Sequence, residues 1–193
     1  MVGLDARLAK LEEEAQSATP GYKGLPLNKA GDFALRYGDR ALALEYYGRA
    51  IDTFLEDQQR EAARGVANKL IRVHPEAVRT LCTLTWLDLG ARHMATALLH
   101  LRDYVAAVKR VEQNQLAGDQ IFEMARVAPQ SEFLQAAADA LDALDLGGLA
   151  TEVRGWAASG GSPGVLEDDD ELAAACLFFA VKTNTRSSGS SGR

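Results

Sequence analysis

The side chains that could do chemistry are few, and their spacing does not gather them into a site. Three histidines stand at 74, 93 and 100. His74 precedes Pro75, where it suits the carbonyls at a helix end. His93 and His100 are seven apart, near one face of a helix but too distant to share a metal without further ligands, and no Asp or Glu pattern completes a set. Two cysteines, Cys82 and Cys176, are 94 positions apart among apolar neighbours, which suits small buried hydrophobes better than a disulfide framework or zinc site. No glycine-rich loop follows a strand, and no serine or cysteine has the neighbourhood of a nucleophile. We therefore expect no catalytic residue, no metal and no cofactor.

Charge is the next candidate. The 193 residues carry a formal −6, unevenly spread: −3 over residues 1–57, +5 over 58–110 and −10 over 111–182. The basic middle holds Arg60, Arg64, Lys69, Arg72, Arg79, Arg92, Arg102, Lys109 and Arg110. These could contact the phosphates of a nucleic acid, although the acidic total argues against a general binder of that kind.

The elements that must position these groups are all helical. Five prolines, few β-branched runs and abundant Ala, Leu, Arg and Glu favour helix throughout. Residues 2–17 form an amphipathic helix with Leu4, Leu8, Leu11 and Ala15 along one seam, suited to packing on the domain or to pairing with another helix. Eight helices follow over residues 25–158, at 27–37, 40–56, 60–73, 76–89, 92–109, 113–127, 131–144 and 149–158. Gly38 suits a left-handed C-terminal residue, Asp39 a helix cap, and Pro75 and Pro129 stop signals. Ala95, Leu98, Leu99 and Val105 are expected to point inward on the sixth helix of the chain. The pattern repeats: Gly38 and Gly90 are 52 apart, as are Ala43 and Ala95, while Pro75 and Pro129 are 54 apart, so a two-residue insertion is inferred. Short turns make neighbouring helices antiparallel.

The stretch 27–51 resembles the tetratricopeptide repeat family. Gly31 sits at the small position of the first helix, Gly38-Asp39 at the turn, and Ala43, Tyr47 and Ala50 form the small-aromatic-small pattern of the second helix. Ala63, Leu70 and Pro75 match part of a second copy, and Ala95, Leu98 and Leu99 part of a third; Leu55, Ala34 and Arg102 depart from the pattern. The resemblance covers about two thirds of the chain. It implies an all-α superhelix of antiparallel hairpins, a solenoid whose concave surface receives a peptide or helix of another protein. The groove candidates it implies are Asn28, Asp32 and Arg36, with Arg79, Thr80 and Asp88. Asp32 is acidic, which argues against a clamp for a C-terminal carboxylate.

After the repeats, residues 159–166 read as a flexible Gly/Ser-rich linker. Residues 167–183 read as a helix with an acidic start and apolar residues on every side, including Leu172, Leu177, Phe178 and Val181. It is expected to cover its own array or to dock on a second copy or another protein, which would make a homo-oligomer through the terminal helices. Residues 184–193 read as a disordered tail or an expression remnant. The longest apolar run has ten residues, short of the roughly 20 a membrane span needs. With no signal peptide visible at the start, a reducing cytoplasm is the expected location.

Overall fold

The computed structural model describes residues 2–128 and 130–185, and the side chains of all of these except residues 2–4, 184 and 185. Leu4, Pro129 and the tail from 186 onward, all used in the sequence reading, thus lie wholly or in their side chains outside what is described. The described residues form ten helices and no strand: α1 (Val2–Ser17), α2 (Gly24–Arg36), α3 (Arg40–Glu56), α4 (Arg60–Val73), α5 (Val78–Gly90), α6 (Met94–Val111), α7 (Asn114–Val127), α8 (Ser131–Ala143), α9 (Gly147–Ser159) and α10 (Asp169–Thr185). Their contacts divide into two compact units, 1–77 and 78–193.

In the first unit each helix packs on the next. The Asp39 carboxylate accepts the Leu42 N–H at 3.0 Å and starts α3, while Gly38, at φ +85°, lets the Asp39 N–H reach back to the Ala34 carbonyl. Gly31 admits the Tyr47 ring, which a Cβ there would meet at 2.6 Å. Gly24 admits Phe54 in the same way. Leu8, Leu11 and Ala15 of α1 are buried, α1 packs against α2, and the Glu12 carboxylate takes a two-pronged contact from Arg49 of α3.

The second unit is not a simple succession. α5 lies between α6 and α10, and ten consecutive residues from Thr80 to Leu89 are buried. Beyond it α8 pairs with α9, and α7 touches both. The segment read as a flexible linker is tied to the end of α7. The Ser162 hydroxyl donates to the Arg126 carbonyl and the Leu166 N–H to that of Val127.

The three-helix repeat is regular, and its period is 54. The starts of α5, α6 and α7 at 78, 94 and 114 stand against those of α2, α3 and α4 at 24, 40 and 60. The left-handed turn residues follow the same shift, Gly38 to Arg92 and Gln58 to Glu112. So do buried pairs such as Leu27 and Leu81, Ala43 and Ala97, and Ala63 and Ala117. This corrects the 52-residue alignment and its insertion. Gly90 is not a turn residue: it is helical, and Arg92 (φ 53°) makes the turn. Ala95 and Leu99 accordingly point outward, while Ala97, His100, Leu101 and Tyr104 take the inward face with Val105.

Candidate interaction surface

The groove candidates on α2 form a polar face shared with α4. Lys69 of α4 donates to Asn28 Oδ1 at 2.9 Å and to both Asp32 oxygens at 2.8 Å, and the Tyr47 hydroxyl donates to Asp32 Oδ1 at 2.8 Å. The Asp32 contact and burial push the Tyr47 phenol well above its ordinary range, burial being the larger cause. Asn28 and Asp32 are half-buried and Arg36 is exposed. The three sit one turn apart along α2.

Two of the candidates on α5 do not line an open surface. Thr80 is buried, and Asp88 is 1% exposed with its carboxylate 2.7 Å from His100 Nδ1 and 4.0 Å from His93 Nδ1. Thr80 in the first turn of α5 and Asp88 in its last are both packed inside the unit, contrary to their expected place on a groove. Arg79, half-buried, does line a pocket of the second unit. The two histidines thus converge on one carboxylate, but no group of three His, Cys, Asp or Glu among the described residues has the geometry to hold a metal ion.

α10 seats on α5 by one face. Leu172, Ala173, Cys176 and Ala180 are buried, and Phe179 stacks on Trp86 with ring centroids 4.7 Å apart and planes 11° apart. Gly90 gives the close approach, since a Cβ there would meet Cys176 Cβ at 2.8 Å. Gln120 of α7 closes the seat, its Oε1 accepting from Trp86 Nε1 at 3.1 Å and Thr183 Oγ1 at 3.0 Å. Arg92 fastens the start of the helix through Asp169 and the Glu167 carbonyl. Of the expected docking residues only Leu172 is fully buried; Leu177 and Val181 are half-buried and Phe178 is 62% exposed. A helix apolar all round has one partner face here, and Phe178 lies off it.

The 54-residue shift connects the two faces. It carries Asn28, Asp32 and Arg36 of α2 onto Cys82, Trp86 and Gly90 of α5, the three positions that Thr183, Phe179 and Cys176 of α10 cover. The seat was legible only in part. Trp86 and Gly90 are plain in the sequence, but a glycine near a helix end signals a turn as readily as a close contact.

Four of the nine basic side chains of the middle segment are engaged by carboxylates. Lys69 meets Asp32, Arg64 meets Glu61, Arg92 meets Asp169 and Arg102 meets Asp103. That weakens the case for a phosphate-binding face. No described helix is long and apolar enough to cross a membrane. Comparison with family models, curated proteins and solved structures finds no match for the chain.

Proposed function

We propose that the chain is a non-enzymatic interaction module of tetratricopeptide-like helical-repeat design, and that its first unit binds a helix of another protein along α2. One observation carries this reading. In the second copy of the repeat the face of α5 is occupied by a helix, α10, running antiparallel to it. The equivalent face in the first copy bears Asn28, Asp32 and Arg36 and stays half-open. The 54-residue shift makes this face of α2 the counterpart of the seat on α5, with Lys69 of α4 reaching across part of it.

The chemistry of that face selects the partner. Asn28, Asp32, Lys69 and Arg36 are polar or charged, so the bound helix would present polar and charged side chains there. The face of α10 is apolar and fits it poorly, which argues against exchange of α10 between copies as the main use of this surface.

A display library of helix-forming peptides, selected against the full chain, tests the reading. We expect enrichment of peptides with a charged stripe, whose affinity falls about tenfold or more with Arg36→Glu or Asn28→Ala while the far-ultraviolet circular dichroism of the protein is unchanged. If no helix is enriched, or those enriched bind both variants like the parent, the assignment of this face is wrong.

A further inference from the structure

The second unit holds a pocket of about 460 Å³ between α5, α6, α7 and α10. The matching place in the first unit is filled differently, for a reason written in two residues. There the Phe54 ring fills the space over Gly24, coming within 2.6 Å of where a Cβ would stand, and α4 packs closely on α3. The 54-residue shift replaces Phe54 by Val108 and Gly24 by Val78, and α7 leans away from α6 toward α8 and α9. A smaller side chain and a displaced helix leave a space in the size range of small-molecule sites, roughly 300–1,000 Å³.

Its walls are apolar, with Val78, Val108, Leu116 and Ala117; its neutral polar groups are Tyr104, Gln113, Gln120 and Thr183, and its charged groups are of one sign. Arg79 and Lys182 are cations. Gln120 has its Oε1 committed to Trp86 and Thr183, so the end it can offer a ligand is the NH₂, a donor. No Asp or Glu lines the pocket, although residues 78–193 hold 15 acidic and 10 basic side chains. In a unit of that charge, apolar walls beneath donors and cations select an anion with an apolar body. Cys82 in the wall does not oppose one: burial pushes its thiol up to about 12 and keeps it neutral.

We propose that this pocket binds a small amphiphilic carboxylate, its apolar chain or ring against Val78, Val108 and Leu116 and its carboxylate between Arg79, Lys182 and the Gln120 amide. This site is independent of the α2 face and of the partner helix proposed for it.

Calorimetric titration of the full chain with decanoate, decan-1-ol and decyltrimethylammonium reads the charge preference directly, with Trp86 emission as a second signal. Decanoate is expected to bind at least tenfold more tightly than the alcohol, and the ammonium not at all. Arg79→Gln and Lys182→Gln should each weaken decanoate about tenfold and leave the alcohol unchanged. Val108→Phe, which restores the filling of the first unit, should abolish binding of both. Should that variant fail to fold, the two charge variants still decide. Equal binding of alcohol and carboxylate, or no binding of decanoate, or undiminished binding by both charge variants overturns the proposal.

Discussion

Replacing Gly90 by Ala tests whether the glycine exists for the approach of α10. The new Cβ would stand 2.8 Å from Cys176 Cβ and 3.3 Å from Ala173 Cα. The second of these is backbone, so α10 must shift. Overpacking of this kind costs about 1–3 kcal/mol. The substitution also gains helix propensity, up to about 1 kcal/mol in a helix interior and less at its last residue. The net expectation is a loss of about 1–2 kcal/mol. Both tryptophans, Trp86 and Trp156, belong to the second unit, so urea unfolding followed by their emission reports this unit alone. Because Trp86 stacks on Phe179, its native emission should also change as α10 shifts. Pairing the change with Cys176→Gly removes the nearer contact, and the double-variant cycle should show favourable coupling of about 1 kcal/mol or more. Gly38→Ala is the contrast: it meets nothing within 4 Å but sits at φ +85°, so it should cost about 1–2 kcal/mol through backbone strain and show no coupling to residue 176. A neutral or stabilising Gly90→Ala with unchanged emission, or a Gly90–Cys176 coupling near zero, refutes the close approach.

Glu112 holds a left-handed conformation at φ 55° on an exposed turn, so Glu112→Gly should stabilise the second unit by about 0.5–1 kcal/mol in urea unfolding; a loss would place an unrecognised contact there. Asp88→Ala orphans the buried His100 ring and should cost about 2–4 kcal/mol, while Asp88→Leu with His100→Leu should cost less than the single change because no buried polar group is left alone. The Cys82 thiol, raised by burial from 9.0 to about 12, sets a pH dependence. Below the lower value both states keep the proton; above it only the unfolded chain ionises, so stability should fall across that window by up to about 1.4 kcal/mol per pH unit, and Cys82→Ser should flatten the slope between pH 9 and 10, where an unaltered slope counts against the buried thiol. The Glu12 carboxyl is held below its usual range chiefly by the Arg49 hydrogen bonds, so its contribution is present above the ordinary glutamate value and lost on acidification below it. With both side chains partly exposed, Glu12→Gln should cost less than about 1 kcal/mol and show mainly as faster amide exchange in α1.

The limits of α3 and α4 were legible to the residue because local chemistry sets them: Asp39 caps one, and Pro75 lies just past the end of the other. All ten helices were legible as elements for the same reason. The register of the repeat was legible at Pro75 and Pro129, 54 apart, but not in the helices between, because Gly90 and Ala95 mimic Gly38 and Ala43 by type while standing two residues from their structural counterparts, Arg92 and Ala97. A left-handed Arg carries no sequence signal of its own. The seat of α10 was hidden by its uniformity. Ten apolar residues in a row have no periodicity to choose between Phe178 and Phe179, and only the facing Trp86 makes the choice. Asp88 read as a groove residue; it is buried on the side of α5 that faces α6, where His100 supplies its partner. The seat of α10 is a contact between helices distant in sequence, where composition is silent.

The contrast between the two copies of one face bears on how each is used. On α5 the positions are Cys82, Trp86 and Gly90, and the occupant brings Leu172, Cys176, Ala180 and half of Phe179 out of water. At about 25 cal/mol per Å² that burial amounts to several kcal/mol, and the tether of residues 160–168 keeps the helix at an effective concentration in the millimolar range. Such a helix stays seated. On α2 the positions are Asn28, Asp32 and Arg36, already hydrogen-bonded in part to Lys69 and still half in water. A helix arriving there displaces water from polar groups that it must repay with its own, so the net gain is small and depends on charge matching. On the proposed reading, association at α2 is therefore reversible and weakens as salt rises, whereas α10 on α5, held by apolar burial with an exposed ion pair at its start, responds little to salt over the same range. Raising sodium chloride from 50 to 500 mM should lower the affinity of a selected helix about tenfold and leave Trp86 emission constant; a peptide affinity that ignores salt would mean that the occupied surface is apolar and lies elsewhere.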